Sequence, residues 1–274
     1  MNDDFIGLEL GKIITYDPKN IIYRRGDSDN QKPIYYIMAG LVKIEYILPS
    51  GINFKYYLQP NNLFGIEEAI GRIGRLSDAV AMETSKLYKW DPDLFFQATE
   101  NSHRLAITSI RSLSRLLRIL NSEYGDKVNQ VKSVPSNEEN PDLNLNDDYV
   151  ADLASHPRFR KIFVDKQILI KEGEILDQLF WILRGEVYIA KKIGKKYKVL
   201  TKVGKGELLG EMSFFDKSLT SATVIACGEV EALVFSRQNF KEIFFTNPKW
   251  IKQLLYSISK RIVHMVNKLS KITL

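Results

Sequence analysis

Two hydrophobic periods alternate along this chain. Short runs such as YYIMAGLVKIEY (Tyr35–Tyr46) and LFWILRGEVYIA (Leu179–Ala190) are apolar throughout or at every second position. Gly, Asn and Ser turns interrupt them about every eight to twelve residues, which predicts short antiparallel strands. LPSGIN, between strands ending at Ile47 and beginning near Phe54, and KKIGKKYK (Lys191–Lys198) read as hairpins. The second period is helical. Ala106, Ile110, Leu113, Leu117, Leu120 and Tyr124 alternate spacings of four and three, as do Ile251, Leu255, Ile258, Ile262, Met265, Leu269 and Ile272. A 3.5-residue repeat marks a packing seam, so long helices are predicted over 101–124 and 247–272. Each stripe could cover its own β-domain, but strict heptads in both places favour helix pairing, either within one chain or between two.

The stretch GDKVNQVKSVPSNEENPDLNLNDD (Gly125–Asp148) has neither period and reads as a linker between residues 1–124 and 149–274. The halves superpose in sequence. Gly26 corresponds to Gly173 at an offset of 147; from Gly40 and Gly185 onward the offset is 145, through Gly65/Gly210, Ala81/Ala226, Trp90/Phe235 and Phe95/Phe240. Two extra residues in the first copy, between Gly26 and Tyr36, account for the change. The prediction is two copies of one mainly β, α+β fold, each a small antiparallel barrel followed by a long helix.

With 274 residues, 45% of them hydrophobic, each copy can build a core. The single cysteine, Cys227, excludes an intrachain disulfide and reads as a small buried hydrophobe, fitting a reducing, cytoplasmic setting. The acidic start MNDDFIGLEL lacks the charge of a signal peptide, and no apolar run approaches the length, about 18 residues, of a membrane span. The net charge of +6 is dispersed, and Arg104, Arg111, Arg115 and Arg118 fall mostly off the helix seam, so nucleic acid is not an expected partner. His103, His156 and His264 lack metal-site spacing, and no nucleophile elbow, phosphate-binding Walker loop or Cys-His arrangement occurs. No metal, cofactor or catalytic residue is expected.

The glycine pattern resembles that of the cyclic nucleotide-binding domain, shared by catabolite activator proteins, protein kinase A regulatory subunits and cyclic nucleotide-gated channels. Gly173 precedes FWILRG, as RRG at Gly26 precedes YYIMAG; the segments GEMSFFDKSLTSATVIA (Gly210–Ala226) and, more loosely, FGIEEAIGRIGRLSDAVA (Phe64–Ala81) are similar to that family's phosphate cassette. The resemblance implies jelly-roll-like barrels and a cyclic nucleotide ligand, cyclic AMP or cyclic GMP. In the family the phosphate is held by backbone N–H groups opening a short helix and by an Arg, while a Glu accepts from the ribose 2′-hydroxyl. The implied sites are Gly65, Ile66, Glu67, Arg75, Leu76 and Ser77 in the first copy, and Gly210, Glu211, Met212, Thr220 and Ser221 in the second.

Both cassettes depart from the pattern. The second keeps Glu211 but has Thr220 at the Arg position, with Lys205 and Lys217 as candidate substitutes; the first keeps Arg75 but has Ile66 at the Glu position, where a one-residue bulge would bring in Glu67. The chain stops at Leu274, on the seam, where catabolite activator proteins continue into a helix-turn-helix, and no Arg-Arg-x-Ser/Ala segment of a kinase inhibitor precedes the first copy. The expectation is a cytoplasmic, non-enzymatic tandem sensor or regulatory protein with degenerate cassettes, passing a helix rearrangement to a partner. The alternative is a ligand-free interaction module that dimerises through helices 101–124 and 247–272.

Overall fold

Gly40 and Gly185 place both copies' strands around a corner. Each holds left-handed backbone (φ 97° and 85°), and a Cβ there would overlap the facing strand at Ser85 or Glu229, so only glycine permits the approach. The structure, a computed structural model, describes residues 10–27, 32–128, 157–194, 196–246 and 249–272. The first copy contains β1 (Lys12–Tyr16), β2 (Ile21–Tyr23), β3 (Ile34–Ala39), β4 (Val42–Ile47), β5 (Asn53–Leu58), β6 (Leu63–Phe64), α1 (Ile66–Gly71), β7 (Asp78–Ala81), β8 (Ser85–Trp90), α2 (Pro92–Asn101) and α3 (His103–Val128). The second contains a 3-10 turn (Pro157–Phe159), β9 (Arg160–Phe163), β10 (Ile168–Ile170), β11 (Gln178–Ile193), β12 (Lys196–Val203), β13 (Leu208–Leu209), α4 (Glu211–Asp216), β14 (Thr223–Ser236), α5 (Arg237–Thr246) and α6 (Lys249–Lys271).

Every strand pair is antiparallel, and both expected hairpins form, β4–β5 and β11–β12. In the first copy the strands break at the corner and make two four-stranded sheets, β1-β8-β3-β6 and β2-β7-β4-β5. In the second, β11 and β14 run through the corner with bulges at Arg184, giving one six-stranded sheet. These sheets are jelly-roll-like, as expected, and keep open edges; β6 and β13, two residues each, pair on one side only.

The repeat holds bond by bond. Lys19 N donates to Ala81 O at 2.7 Å and Lys166 N to Ala226 O at 3.0 Å; Ile37 N donates to Asn62 O at 3.0 Å and Ile182 N to Glu207 O at 2.9 Å. The first pair of bonds carries the 147/145 offset change and the second the constant 145, so the two extra residues lie between Asp27 and Pro33.

The helix expected over 101–124 is α3, and a further helix, α2, precedes it. The pair Asp91-Pro92 starts α2 with Pro at the first turn. Ser102 then leaves helical geometry (φ −125°, ψ 103°) and caps α3, its Oγ accepting from Leu105 N at 3.2 Å. α3 continues to Val128, into the stretch read as linker; 129–148 lie outside the described residues, as does His156. Five of the six seam positions of α3 are buried, Tyr124 partly; in α6, Met265 is partly exposed and Val266 buried instead. Arg104 and Arg115 are exposed and Arg111 and Arg118 half-buried.

Packing divides the chain into two units: Met1–Pro141 with Ile251–Leu274, and Asp142–Trp250. The helix α6 therefore begins in the second unit, where Trp250 packs on Trp181 and Phe235 at centroid distances of 6.0 and 5.2 Å, and continues in the first. That unit's core is lined by Ile34, Ile37, Ile44, Leu87 and Trp90, the second's by Phe180, Ile182, Val187, Val224 and Val234. Cys227 is half-buried beside Tyr188 rather than buried. No helix among the described residues is long and apolar enough to cross a membrane.

Candidate functional site

Both cassettes are built on one backbone. Gly65 and Gly210 adopt left-handed φ values of 80° and 86° at the N-caps of α1 and α4; Arg72 and Lys217 close these six-residue helices at φ 50° and 59°. The registers are identical, so no bulge lifts Glu67: Ile66 occupies the place of Glu211, and Glu67 that of Met212. After the helix, Arg75 and Thr220 make the same backbone bonds to the preceding turn. Gly26 N donates to Arg75 O and Arg75 N to Asp27 O (2.8 and 3.1 Å); Gly173 N donates to Thr220 O and Thr220 N to Glu174 O (3.0 and 2.9 Å).

The side chains diverge. Arg75 is 4% exposed and turned inward. Its Nη1 donates to Gly65 O and to Glu68 Oε2, both at 3.3 Å, and its Nη2 to Pro33 O at 2.6 Å. The guanidinium lies 4.2 Å from the centroid of the Tyr23 ring. The other oxygen of Glu68 accepts from Leu76 N at 3.1 Å. Glu68 is fully buried, and this ion pair is what makes that tolerable, because an isolated carboxylate would cost several kcal/mol, order of magnitude, to desolvate.

Glu67, 4% exposed, is the other buried carboxyl here. Burial first, then the neighbouring Glu68 charge, push its pKa up to about 8, against the opposing pull of its own and Ile66's backbone bonds and of Arg75. It is therefore predominantly protonated at neutral pH. Tyr23, Tyr46 and Tyr56 surround these carboxyls, and burial raises all three phenols, with Glu67 and Glu68 adding to the shift.

In the second cassette Thr220, 8% exposed, serves the turn. Its Oγ1 donates to Lys171 O at 2.6 Å and accepts from Glu174 N at 3.1 Å. Ser213, the counterpart of Glu68, accepts from Leu176 N at 3.0 Å and donates to Ser218 O. Leu176 packs over Gly210, where any Cβ would strike it. Glu211 is 2% exposed at the head of α4, Met212 is half-buried, and Ser221, Lys205 and Lys217 are exposed.

Of the residues singled out from sequence, the first site brings Gly65, Arg75 and Leu76 into one network, with Ile66 and Ser77 buried beside it. The second brings together Gly210, Glu211 and Met212 on α4 and places Thr220 on the turn 171–174. Sequence reasoning missed Glu68, Tyr23 and Pro33 around Arg75, and Ser213 and Leu176 in the second copy. An acidic pair, Glu67-Glu68, standing where the second cassette has Met212-Ser213, was the available signal. Among the described residues no cluster of His, Cys, Asp or Glu could hold a metal ion.

Known proteins share parts of this sequence. The cAMP-activated global transcriptional regulator CRP of Pasteurella multocida (strain Pm70) is 26% identical over 120 residues, 43% of this chain and 57% of that protein. The cyclic AMP receptor protein of Thermus thermophilus is 25% identical over 112 residues, 40% of this chain and 52% of its own length. The chain thus spans about half the length of the curated relatives it matches. A solved regulatory subunit of a cAMP-independent protein kinase A from Trypanosoma brucei aligns over 88% of this chain and 79% of that one, with 16% identity and a TM-score of 0.34. The cyclic nucleotide-binding domain model matches residues 13–102 and again 160–247, and the chain belongs to that family, in two copies.

Proposed function

We propose that this chain is a tandem regulatory module of the cyclic nucleotide-binding type, cytoplasmic and non-enzymatic, whose cassettes are degenerate in opposite ways. The observation that carries this reading is the inward pairing of Arg75 with Glu68. A carboxylate accepting from a guanidinium and from the Leu76 N–H does what two oxygens of a cyclic phosphate would do, so the first pocket carries its own anion. A nucleotide must displace Glu68 before it gains Arg75. In the second pocket Glu211 remains for a ribose, but Thr220 stands where the first pocket has Arg75. Loss of one charge-assisted hydrogen bond, worth about 1.5–3 kcal/mol, weakens binding roughly 10- to 150-fold. The proposed ligand is cyclic AMP or cyclic GMP, and the regulators among the relatives support that class. The signal would leave through α3 and α6.

Thermal unfolding with excess cyclic AMP or cyclic GMP tests the reading on wild type, Glu68→Gln, Arg75→Ala and Thr220→Arg. Saturation at about 100 times the dissociation constant stabilises by about 2.7 kcal/mol. Glu68→Gln should tighten binding by frees Arg75's charge, Arg75→Ala should abolish it at the first pocket, and Thr220→Arg should add a second site. A Glu68→Gln protein that binds no better than wild type overturns the displacement mechanism. If no variant shifts at millimolar nucleotide, the alternative stands, an interaction module in which Arg75–Glu68 and Thr220 are purely structural locks.

A further inference from the structure

A second recess in the first unit lies at the C-terminal end of the cassette helix. It is a cleft of about 490 Å³ between the end of α1 and the helix α6, within the range of roughly 300–1,000 Å³ typical of small-molecule sites. None of Gly65, Ile66, Glu67, Arg75 or Ser77 lines it, so it is distinct from the pocket discussed above.

The chemistry of its wall is one-sided. Arg72 enters from α1 and Lys260 and His264 from α6, while no Asp or Glu lines the cleft. Arg72 is exposed and sits in left-handed backbone (φ 50°), a conformation in which Gly or Asn would cost less. Lys260 is held against the Tyr256 ring, its Nζ 4.7 Å from the centroid, which fixes the ammonium beside the cleft. Ser259, also in the wall, is 1% exposed, and its Oγ has no hydrogen-bond partner. A buried hydroxyl without a partner is a standing cost that a ligand oxygen would remove. Ile70, Ile73 and Val263 supply the apolar remainder.

We propose that this cleft binds a phosphorylated small molecule with an apolar or ring-bearing body, its phosphate between Arg72 and Lys260 and within reach of Ser259. Two cations and a hydroxyl match a phosphate's three terminal oxygens, and the apolar wall takes the body. Such a ligand would tie the cassette helix to the C-terminal helix without displacing Glu68 from Arg75.

The test uses the full chain and 1-naphthyl phosphate as probe, with 1-naphthol as its uncharged counterpart, followed by equilibrium dialysis. One equivalent of phosphate ester should bind, 1-naphthol much more weakly. Arg72→Asn, which suits left-handed backbone, and Lys260→Gln should each weaken binding about tenfold. Excess cyclic AMP should leave the probe in place. On the wild-type protein, which needs no refolded variant, affinity should fall as salt rises from low to molar concentration, since both cations are partly solvated. No binding at millimolar probe, equal binding of 1-naphthol, insensitivity to both variants or to salt, or displacement by cyclic AMP would each overturn the proposal.

Discussion

The two cassettes share a backbone and differ in what their central side chain is for. Arg75 and Thr220 hold equivalent places and make equivalent main-chain bonds to the turn before β3 or β11. Arg75 reaches inward to a buried carboxylate, whereas Thr220 reaches sideways to Lys171 and Glu174. The position thus has a structural duty that any residue fulfils through its peptide group, and the side chain is free to diverge without loss of the fold. What diverged is electrostatics: the first cassette buries a cation and two carboxyls, the second only hydroxyls and the Glu211 carboxyl.

The sharpest way to break this comparison is to truncate Arg75. Arg75→Ala leaves Glu68 buried without its cation and should cost about 3–5 kcal/mol in urea unfolding. In the double variant with Glu68→Ala the loss should shrink, because the orphaned charge goes too. A cost below about 1 kcal/mol for Arg75→Ala would mean that water reaches the pair.

A smaller effect separates the cassettes by pH. Glu67 has its pKa raised from 4.5 to about 8, so the folded state holds a proton that the unfolded state releases. Its contribution is present in full below pH 4.5 and is lost as pH rises towards 8, with a slope of at most about 1.4 kcal/mol per pH unit. Glu67→Met, which copies Met212, should flatten that part of the stability profile. A slope that persists unchanged would assign the proton to another group.

Smallest is Thr220→Val, which removes two hydrogen bonds and leaves Glu174 N without its acceptor; about 1–3 kcal/mol is expected in the same urea assay. A neutral result would show that the turn is held by its main-chain bonds alone.

Much of this architecture was legible from glycine. Gly40, Gly65, Gly185 and Gly210 stand where the backbone must be left-handed, and that requirement survives when side chains drift, so the offset of 145 could be read directly. Hairpins at Gly51 and Gly194 were equally plain. The helix α2 was overlooked although Asp91-Pro92 carries ordinary helix-start chemistry, because the heptad stripe begins only at Ala106, beyond the Ser102 cap of α3. The pairing of Glu68 with Arg75 was hidden for a different reason. It spans a helix end and a left-handed turn at Arg72, a path with no fixed period. Which acceptor an arginine chooses is decided by three-dimensional proximity, and only the folded chain supplies it.

The assignment of Ile251–Leu274 to the first unit also sets a timetable. Domains are generally completed in the order in which the ribosome delivers them. Here the first unit's closing helix emerges only after the whole second repeat has been synthesised, so a nascent chain extended to Trp250 carries its opening repeat incomplete, with apolar surface waiting for a partner. The unit of repetition and the unit of packing are offset by one helix, so the first repeat waits for the end of the chain while the second is complete before it.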